Sequence, residues 1–221
     1  MRKAACLTTI SEASKGELRR HVGGLADRVE VIPNCVPPGF EFSPAAFRDA
    51  GPVCLQVGTK WNKNLNRVAA ALHGTPCRLD VVGVLTAGQR NELSATGIAW
   101  RELGALDDAA LMNAYRSCDF VCFASLYEGF GMPIIEAQAT GRPVITSNSG
   151  PMPEVAGEGA LYVDPRSTES IASAVRRLVA DASLRDHLVA KALENVRRFR
   201  PDTVARQYAD LYRSVVQSNQ A

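Results

Sequence analysis

The fold of this 221-residue sequence is constrained most by an alternation, from about residue 53 onward, of short apolar runs with longer helical stretches. Five runs rich in β-branched and apolar residues lie close to a glycine, serine or aspartate at their ends: 53–57, 78–82, 119–123, 143–146 and 160–163. Runs of this kind are typical of parallel strands that are covered by helices on both faces. We therefore predict an α/β fold with a Rossmann-like, doubly wound parallel sheet.

Helical patterns fill the intervals between these runs and continue after them: 64–72, 86–93, 107–116, 133–140, 167–180, 183–198 and 202–217. The beginning of the chain differs, because a single helix at 11–22 is flanked by only two strand-like runs, 5–10 and 28–32. A connection rich in proline and glycine follows. We predict three parts: 1–41 with its linker, a main domain at 42–200 and a C-terminal helix at 201–221.

Charge and composition exclude several classes of protein. The 25 basic and 23 acidic residues nearly balance, which argues against a nucleic-acid partner. No apolar run reaches the length of a membrane span, so we expect a cytoplasmic protein. Arginine clusters at 176–177 and 197–200 indicate solvated helix faces or, as a second interpretation, peripheral attachment at the inner membrane face. The six cysteines form no CxxC pair and the three histidines have no ligand partner at helical spacing, so we predict no metal site.

The segment 125–137 carries the strongest chemical signal. It passes from a predicted buried strand to a predicted helix, and Gly129 and Gly131 let its backbone approach a ligand without a Cβ clash. The free N–H groups at a helix start favour a phosphate. Glu128 and Glu136 flank this position, and their carboxylates suit the hydroxyls of a sugar. The alternative is a tight turn in which Glu136 only supports the helix start.

Several motifs in order resemble one enzyme family. Glu128 and Glu136 stand within YEGFGMPIIEAQATGRPVITSN, which is similar to the E-x7-E segment of the family 4 glycosyltransferases. Further similarities lie in VGTKWNKNL, PEVAG and YVDP, and in TISEAS and VIPN near the beginning. Together they cover essentially the whole chain. The resemblance implies the GT-B fold, in which two Rossmann-like halves face each other, and this chain resembles the C-terminal, nucleotide-sugar-binding half.

The resemblance also implies roles for individual residues. Glu136 would bind the ribose hydroxyls and Glu128 would face the donor sugar. Lys63 would neutralise the diphosphate leaving group, which makes Lys63 and Glu128 the expected catalytic residues. The other expected donor-binding positions are the amides of a glycine loop, the glycine turn and the residues after it: Gly129, Phe130, Gly131, Gly58, Thr59 and Lys60. The loop at 103–105 would contact the base through its backbone.

One position departs from the family pattern. Thr59 stands where the family often has arginine, and the basic residue that follows is Lys60. A lysine is a point charge and cannot make the bidentate contact of arginine with a phosphate.

The function implied is retaining transfer of a hexose, mannose or a similar sugar, from a nucleotide-diphosphate donor to a glycan or lipid-linked acceptor. No Asp-x-Asp motif is present to hold a metal, and Asp107 and Asp108 suit the start of a helix. A lysine and helix amides would replace the metal, so we expect metal-independent chemistry and no cofactor besides the donor. No nucleophile is evident, which favours attack from the leaving-group face.

The resemblance also identifies residues 1–41 as a remnant of an N-terminal acceptor domain plus a linker. We therefore expect this chain to bind donor rather than turn it over alone, and to need a missing N-terminal half or to self-associate. Two alternatives remain. One is a non-catalytic sugar-nucleotide-binding module or a subunit of a split enzyme. The other is a different GT-B enzyme, an epimerase or a phosphorylase, whose acid–base residues or cofactor lysine we do not find.

Overall fold

The computed structural model describes residues 4–218, and two parallel sheets lie within them. The smaller sheet pairs β1 (Leu7–Thr9) with β2 (Val29–Val31). The larger sheet has six strands: β3 (Val53–Val57), β4 (Arg78–Val82), β5 (Ala99–Gly104), β6 (Phe120–Phe123), β7 (Val144–Ser147) and β8 (Leu161–Val163). Residues 1–3 and 219–221, at the ends of the predicted segments 1–41 and 201–221, lie outside the described residues.

The order of the larger sheet is β5-β4-β3-β6-β7-β8, and every pair in it is parallel. The chain winds outward from β3 through β4 to β5, then returns to the other side of β3 and winds outward through β6 to β8. This is the order of a doubly wound sheet, so the predicted fold class is confirmed.

The described residues contain helices beside both sheets: α1 (Glu12–Val22), which packs on the smaller one, and α2 (Leu65–Leu72), α3 (Ala87–Ala95), α4 (Asp108–Ser117), α5 (Met132–Ala139), α6 (Met152–Ala156), α7 (Thr168–Ala180), α8 (Ala182–Asn195) and α9 (Pro201–Ser218). Five of them begin at residues whose side chains accept a hydrogen bond from the first turn: Ser11, Thr86, Asp107, Ser167 and Asp181. No helix within residues 4–218 has the length and apolarity needed to cross a bilayer.

Two hydrophobic cores lie on opposite faces of the sheet, and β3 contributes to both. Cys54 belongs to the core beneath α2 and α7, whereas Val53 and Leu55 belong to the core beneath α4 and α5. This alternation follows from the two-residue period of a strand. It explains why the strands have apolar residues on both faces, the pattern from which the sheet was predicted.

Three differences from the predicted elements are instructive. The edge strand β5 was not predicted, because its sequence AWRELG alternates polar and apolar residues. The short helix α6 was not predicted either. The helix predicted at 183–198 is α8 followed by a 3-10 turn, Val196–Phe199.

The linker between β2 and β3 packs against later parts of the chain. Residues 32–52 form neither helix nor strand in the described chain, but Val36 N donates to Phe199 O at 2.8 Å. The ring of Phe40 packs edge-on against Tyr115, with centroids 5.4 Å apart. The division at residues 41 and 200 remains a prediction.

Candidate functional site

The candidate site lies where the winding of the sheet reverses, between β3 and β6. At such a point the two strand-to-helix loops diverge to opposite faces and leave a crevice beyond the carboxyl ends of the strands. The loop after β3 starts at Gly58, and the loop after β6 starts at Ala124. Both loops contain residues that the sequence assigns to donor binding.

Hydrogen bonds join the two loops directly. Leu126 N donates to Asn62 O at 2.8 Å, and Asn62 Nδ2 donates to Tyr127 O at 2.9 Å. The buried side chain of Asn64 donates to Ala124 O at 2.9 Å and to Pro165 O, beyond β8, at 2.7 Å. Asn64 has a positive φ of 61°, which asparagine tolerates better than most residues. The carboxyl ends of three strands are thereby held together.

Lys63 and Glu128 form an ion pair across the two loops. Lys63 Nζ lies 2.7 Å from Glu128 Oε1, and the side chains are only 19% and 13% exposed. Asn62 Nδ2 donates to the same carboxylate oxygen at 3.1 Å. The ammonium group also lies 4.8 Å from the centroid of the Phe123 ring, a cation–π contact. The structure therefore brings together the two predicted catalytic residues, each held by a partner on the other loop.

Gly58 makes the position of Lys63 possible. Its φ is +92°, and a Cβ built on it would lie 3.0 Å from Lys63 Cε and 3.1 Å from Cγ. Any other residue would strain the backbone and push the lysine stem away. Gly58 N still donates to Val82 O at 2.8 Å, so the turn begins directly at the end of the β-ladder.

The side chains of Thr59 and Lys60 form no hydrogen bond with this ion pair in the part of the chain that the structure describes. Thr59 Oγ1 donates to Val84 O at 3.1 Å, and its carbonyl accepts from Gln89 Nε2 at 2.7 Å. Lys60 is exposed and lines a cleft of about 460 Å³ together with Trp61 and Arg67. Both predicted donor-binding residues are near the site in sequence, but the Thr59 side chain bonds to the loop after β4 and the Lys60 side chain is exposed.

The glycine loop presents three consecutive amides. The N–H groups of Gly129, Phe130 and Gly131 have no hydrogen-bond acceptor among residues 4–218. Gly131 precedes α5 with φ +109°, and a Cβ there would lie 3.0 Å from Ile134 Cδ1. The Phe130 side chain packs edge-on against Phe199, with centroids 5.7 Å apart, so only its backbone is available to a ligand. Free amides at a helix start suit an anion, as predicted.

Glu136 lies one turn into α5 and is 7% exposed. Its Oε2 accepts a hydrogen bond of 2.6 Å from the hydroxyl of Tyr115, which is fully buried. Burial raises the pKa of the Glu136 carboxyl, while the Tyr115 hydrogen bond and the charge of Lys63 act in the opposite direction. Burial, and next the charge of Glu136, raise the pKa of Tyr115 well above its usual range, so this phenol remains a donor.

Sequence reasoning missed Tyr115 and Asn62. Tyr115 is one apolar-looking residue within α4, and nothing in its local pattern points to a glutamate on another helix. Asn62 lies within a motif that was recognised, but its contact with Glu128 depends on the pairing of two loops. The predicted base-contacting loop at 103–105 overlaps the end of the edge strand β5 (Ala99–Gly104), and Gly104 O accepts from Gly83 N at 2.8 Å.

Carboxylates, histidines and thiols do not cluster in a way that suits a metal ion. Within residues 4–218, no three His, Cys, Asp or Glu side chains come close enough together to hold one.

Comparison with known proteins gives the family. Residues 44–195 match the family described as Glycosyl transferases group 1. The chain is 33% identical to the O-antigen chain mannosyltransferase B of Escherichia coli, over 95% of this chain and 61% of that relative. It thus spans about three-fifths of the length of this relative.

Two solved structures have the same fold. Sucrose-phosphate synthase from Thermosynechococcus elongatus matches 98% of this chain and 59% of its own, with a TM-score of 0.84 and 24% identity. Anabaena HepE in complex with UDP and glucose matches 96% of this chain and 64% of its own, with a TM-score of 0.79 and 20% identity. Both are glycosyltransferases of the GT-B type, and the likeness at this identity concerns the fold. From the family match and the mannosyltransferase relative, the chain belongs to the group 1 glycosyl transferases.

Proposed function

We propose that this chain serves the retaining transfer of a hexose, mannose or a similar sugar, from a nucleotide-diphosphate donor to a glycan or lipid-linked acceptor, without a divalent metal. The mannosyltransferase relative and the UDP and glucose bound by HepE support this choice of chemistry. The observation that carries it is the Lys63–Glu128 pair beside three unpartnered amides at the reversal point of the sheet.

The donor would use these groups in a fixed order along its length. The two ribose hydroxyls donate to the carboxylate of Glu136, whose Oε2 is already oriented by Tyr115. The amides of Gly129, Phe130 and Gly131 receive the diphosphate and the sugar hydroxyls. Lys63 lies between the groups that would bind the ribose and those that would bind the sugar, because its charge acts on Glu136 and its ammonium group contacts Glu128.

The reaction breaks the bond between the anomeric carbon and the leaving phosphate oxygen, so negative charge develops on the diphosphate. Lys63 and the helix amides stabilise that charge where it appears. Glu128 Oε1 accepts hydrogen bonds from Lys63 and Asn62, which lowers its nucleophilicity, and the other carboxylate oxygen would accept a sugar hydroxyl. The acceptor oxygen therefore attacks from the leaving-group face, and its proton passes to the departing diphosphate. Retention of configuration follows.

Within this proposal, the chain belongs to the family 4 subdivision and residues 42–200 form the nucleotide-sugar-binding domain. Residues 1–41 correspond to the end of an acceptor-binding half plus a linker, and 201–221 to a C-terminal helix. An N-terminal half or a second copy would complete the acceptor site. Cytoplasmic location, with peripheral attachment at the inner membrane face as an alternative, remains an expectation.

Binding measurements against UDP-, GDP- and ADP-sugars test the proposal. We expect one nucleotide series to bind, and Lys63→Ala to weaken binding of its diphosphate by about tenfold, the loss of one charged hydrogen bond. Lys191→Ala is the control, because this lysine on α8 pairs with Glu158 and has no expected role in donor binding. Absence of binding to all three series would refute the proposal. Donor binding without transfer to any acceptor tested would favour the non-catalytic module.

A further inference from the structure

The first turn of α1 is capped by a residue from a distant part of the chain. The amides at the start of a helix have no partner within the helix itself. Here Glu12 N donates to both carboxylate oxygens of Glu154, at 2.9 and 3.0 Å, and Ala13 N donates to Oε2 at 3.3 Å. Ser14 N donates to Ser11 Oγ at 3.0 Å. The N-terminus of α1 is therefore fixed on α6 of the main domain.

The same turn contacts the glycine loop. The hydroxyls of Ser11 and Ser14 approach the carbonyl oxygen of Gly129 at 2.8 and 2.9 Å. A carbonyl oxygen has two lone pairs and can accept both bonds. Ser11 is fully buried, and a Cβ built on Gly129 would meet Ser14 Oγ only at an ordinary van der Waals distance of 3.9 Å, so these contacts do not depend on a glycine at this position.

Fixing this carbonyl also orients an amide. The Gly129 carbonyl and the Phe130 N–H belong to one planar trans peptide, so they point in opposite directions. With the carbonyl directed at Ser11 and Ser14, the Phe130 N–H must point away from α1. That N–H has no acceptor among the described residues.

We infer that Ser11 and Ser14 are positioning residues of the donor site: they hold the Gly129 carbonyl so that the Phe130 amide faces the diphosphate. The inference rests on the proposed function. It makes the N-terminal segment a working part of the donor site, in addition to any role in acceptor binding. Glu154 supports it by anchoring the helix that carries both serines.

The test compares two ligands that differ in one phosphate. The affinities of the full chain for UDP and UMP, GDP and GMP, and ADP and AMP are measured by calorimetry. The double variant S11A/S14A should bind the diphosphate of the preferred base about tenfold more weakly, because one charged hydrogen bond is misdirected. Its affinity for the monophosphate should stay within about threefold of wild type. Ser14→Thr, tested alone, keeps a hydroxyl and should retain wild-type affinity. Ser167→Ala removes a serine cap of α7 and should change neither affinity.

The outcomes separate the two proposals. If wild type binds none of the six nucleotides, the proposed function fails and this inference fails with it. If wild type binds, but S11A/S14A loses affinity for the diphosphate and the monophosphate equally, or for neither of them, only the inference is overturned. Should the double variant not fold, the Phe130 amide resonance of the wild type decides. It should move on addition of the preferred diphosphate, and a static resonance would overturn the inference.

Discussion

The hydroxyl of Tyr115 lies 2.6 Å from Oε2 of Glu136, and both residues are withdrawn from solvent between α4 and α5. A buried carboxylate requires a donor in place of water. Tyr115 supplies one and leaves the other oxygen of Glu136 for a ligand. The carboxylate is thus oriented before any nucleotide arrives, and this arrangement underlies the first two predictions.

Replacing Glu136 should weaken nucleotide binding without unfolding the protein. Glu136→Ala removes the acceptor of the ribose hydroxyls, so we expect a loss of about 1.5–3 kcal/mol, the range for hydrogen bonds to a charged group. Calorimetry with the preferred nucleoside diphosphate measures it. Glu102→Ala is the control, since that glutamate pairs with Arg90 on the edge of the sheet. Unchanged affinity in a folded Glu136→Ala protein would rule out the ribose role.

Nucleotide affinity should fall in mild acid, and the fall should occur at a higher pH than it would for a glutamate with an ordinary pKa. Burial raises the pKa of Glu136, and protonation removes an acceptor that the ribose needs. The Tyr115 hydrogen bond lowers that pKa, so Tyr115→Phe should move the loss of affinity to still higher pH. Affinity titrated against pH for wild type, Tyr115→Phe and Glu136→Gln checks this, and the glutamine variant should lack the acid limb.

The same pKa shift has a consequence for stability. A carboxyl with a raised folded-state pKa contributes most stability below its unfolded pKa, and this contribution is lost as pH rises through the folded value. Glu136→Gln should therefore gain thermal stability relative to wild type at neutral pH more than at acid pH. The reverse trend would show that the ionised form is well compensated.

Alanine variants of Gly58 and Gly74 distinguish the effect of backbone strain from the effect of displacing Lys63. Both have a positive φ, but only at Gly58 would a Cβ meet the lysine stem, because nothing lies within 4 Å of one at Gly74. Each alanine variant should lose about 1–2 kcal/mol of stability from the left-handed conformation. Only Gly58→Ala should also bind the diphosphate more weakly. Equal affinity in the two variants would show that Lys63 does not contact the diphosphate.

Donor binding should persist in excess chelator. Lys63 and the amides of the glycine loop offer the diphosphate the positive charge that a divalent ion supplies elsewhere. Titrating the nucleotide in EDTA and in Mg²⁺ or Mn²⁺ measures the difference, which we expect to be small. A strict requirement for either ion would contradict the role given to Lys63.

Apart from the amides of Glu12, Ala13 and Ser14, which donate to Glu154 and Ser11, the amides from Leu7 to Val31 should exchange with solvent faster than those of β3 and β6. The small sheet β1–β2 is separate from the large one, and α1 has no buried side chain. Leu7, Ile10 and Leu18 are only half-buried, which favours self-association through this segment. Hydrogen exchange at several protein concentrations measures both effects. Strong protection in a dilute monomer would instead make the segment an integral part of the domain.

The sequence predicted the parts of the fold that depend on a continuous apolar pattern. Five strands of the large sheet contain runs of consecutive apolar residues and were predicted, whereas β5 alternates polar and apolar residues and none of its residues is buried. The glycine loop was predicted because Gly129 and Gly131 occur beside a proline at a helix start. Such signals lie in neighbouring residues, so they can be recognised in the sequence without knowledge of the tertiary structure.

The contacts that orient the site were not predictable in this way. Tyr115 reaches Glu136 from another helix, and Ser11 reaches Gly129 from the other end of the chain. Each depends on where the cores place two elements, and the sequence around either residue does not encode the partner. The motif for Lys63 and Glu128 was recognised, but their ion pair follows only from the adjacency of β3 and β6.

The side chain of Asn64 has a practical consequence for protein engineering. It holds the loops after β6 and β8 from a position on the loop after β3, so none of the three can adopt a new course while the others stay in place. A chimera that exchanges only the loop after β6 with a relative must keep the backbone carbonyl of residue 124 in place, because the buried side chain of Asn64 donates to it. Transplants designed to change ligand preference should therefore carry all three loops as one cassette.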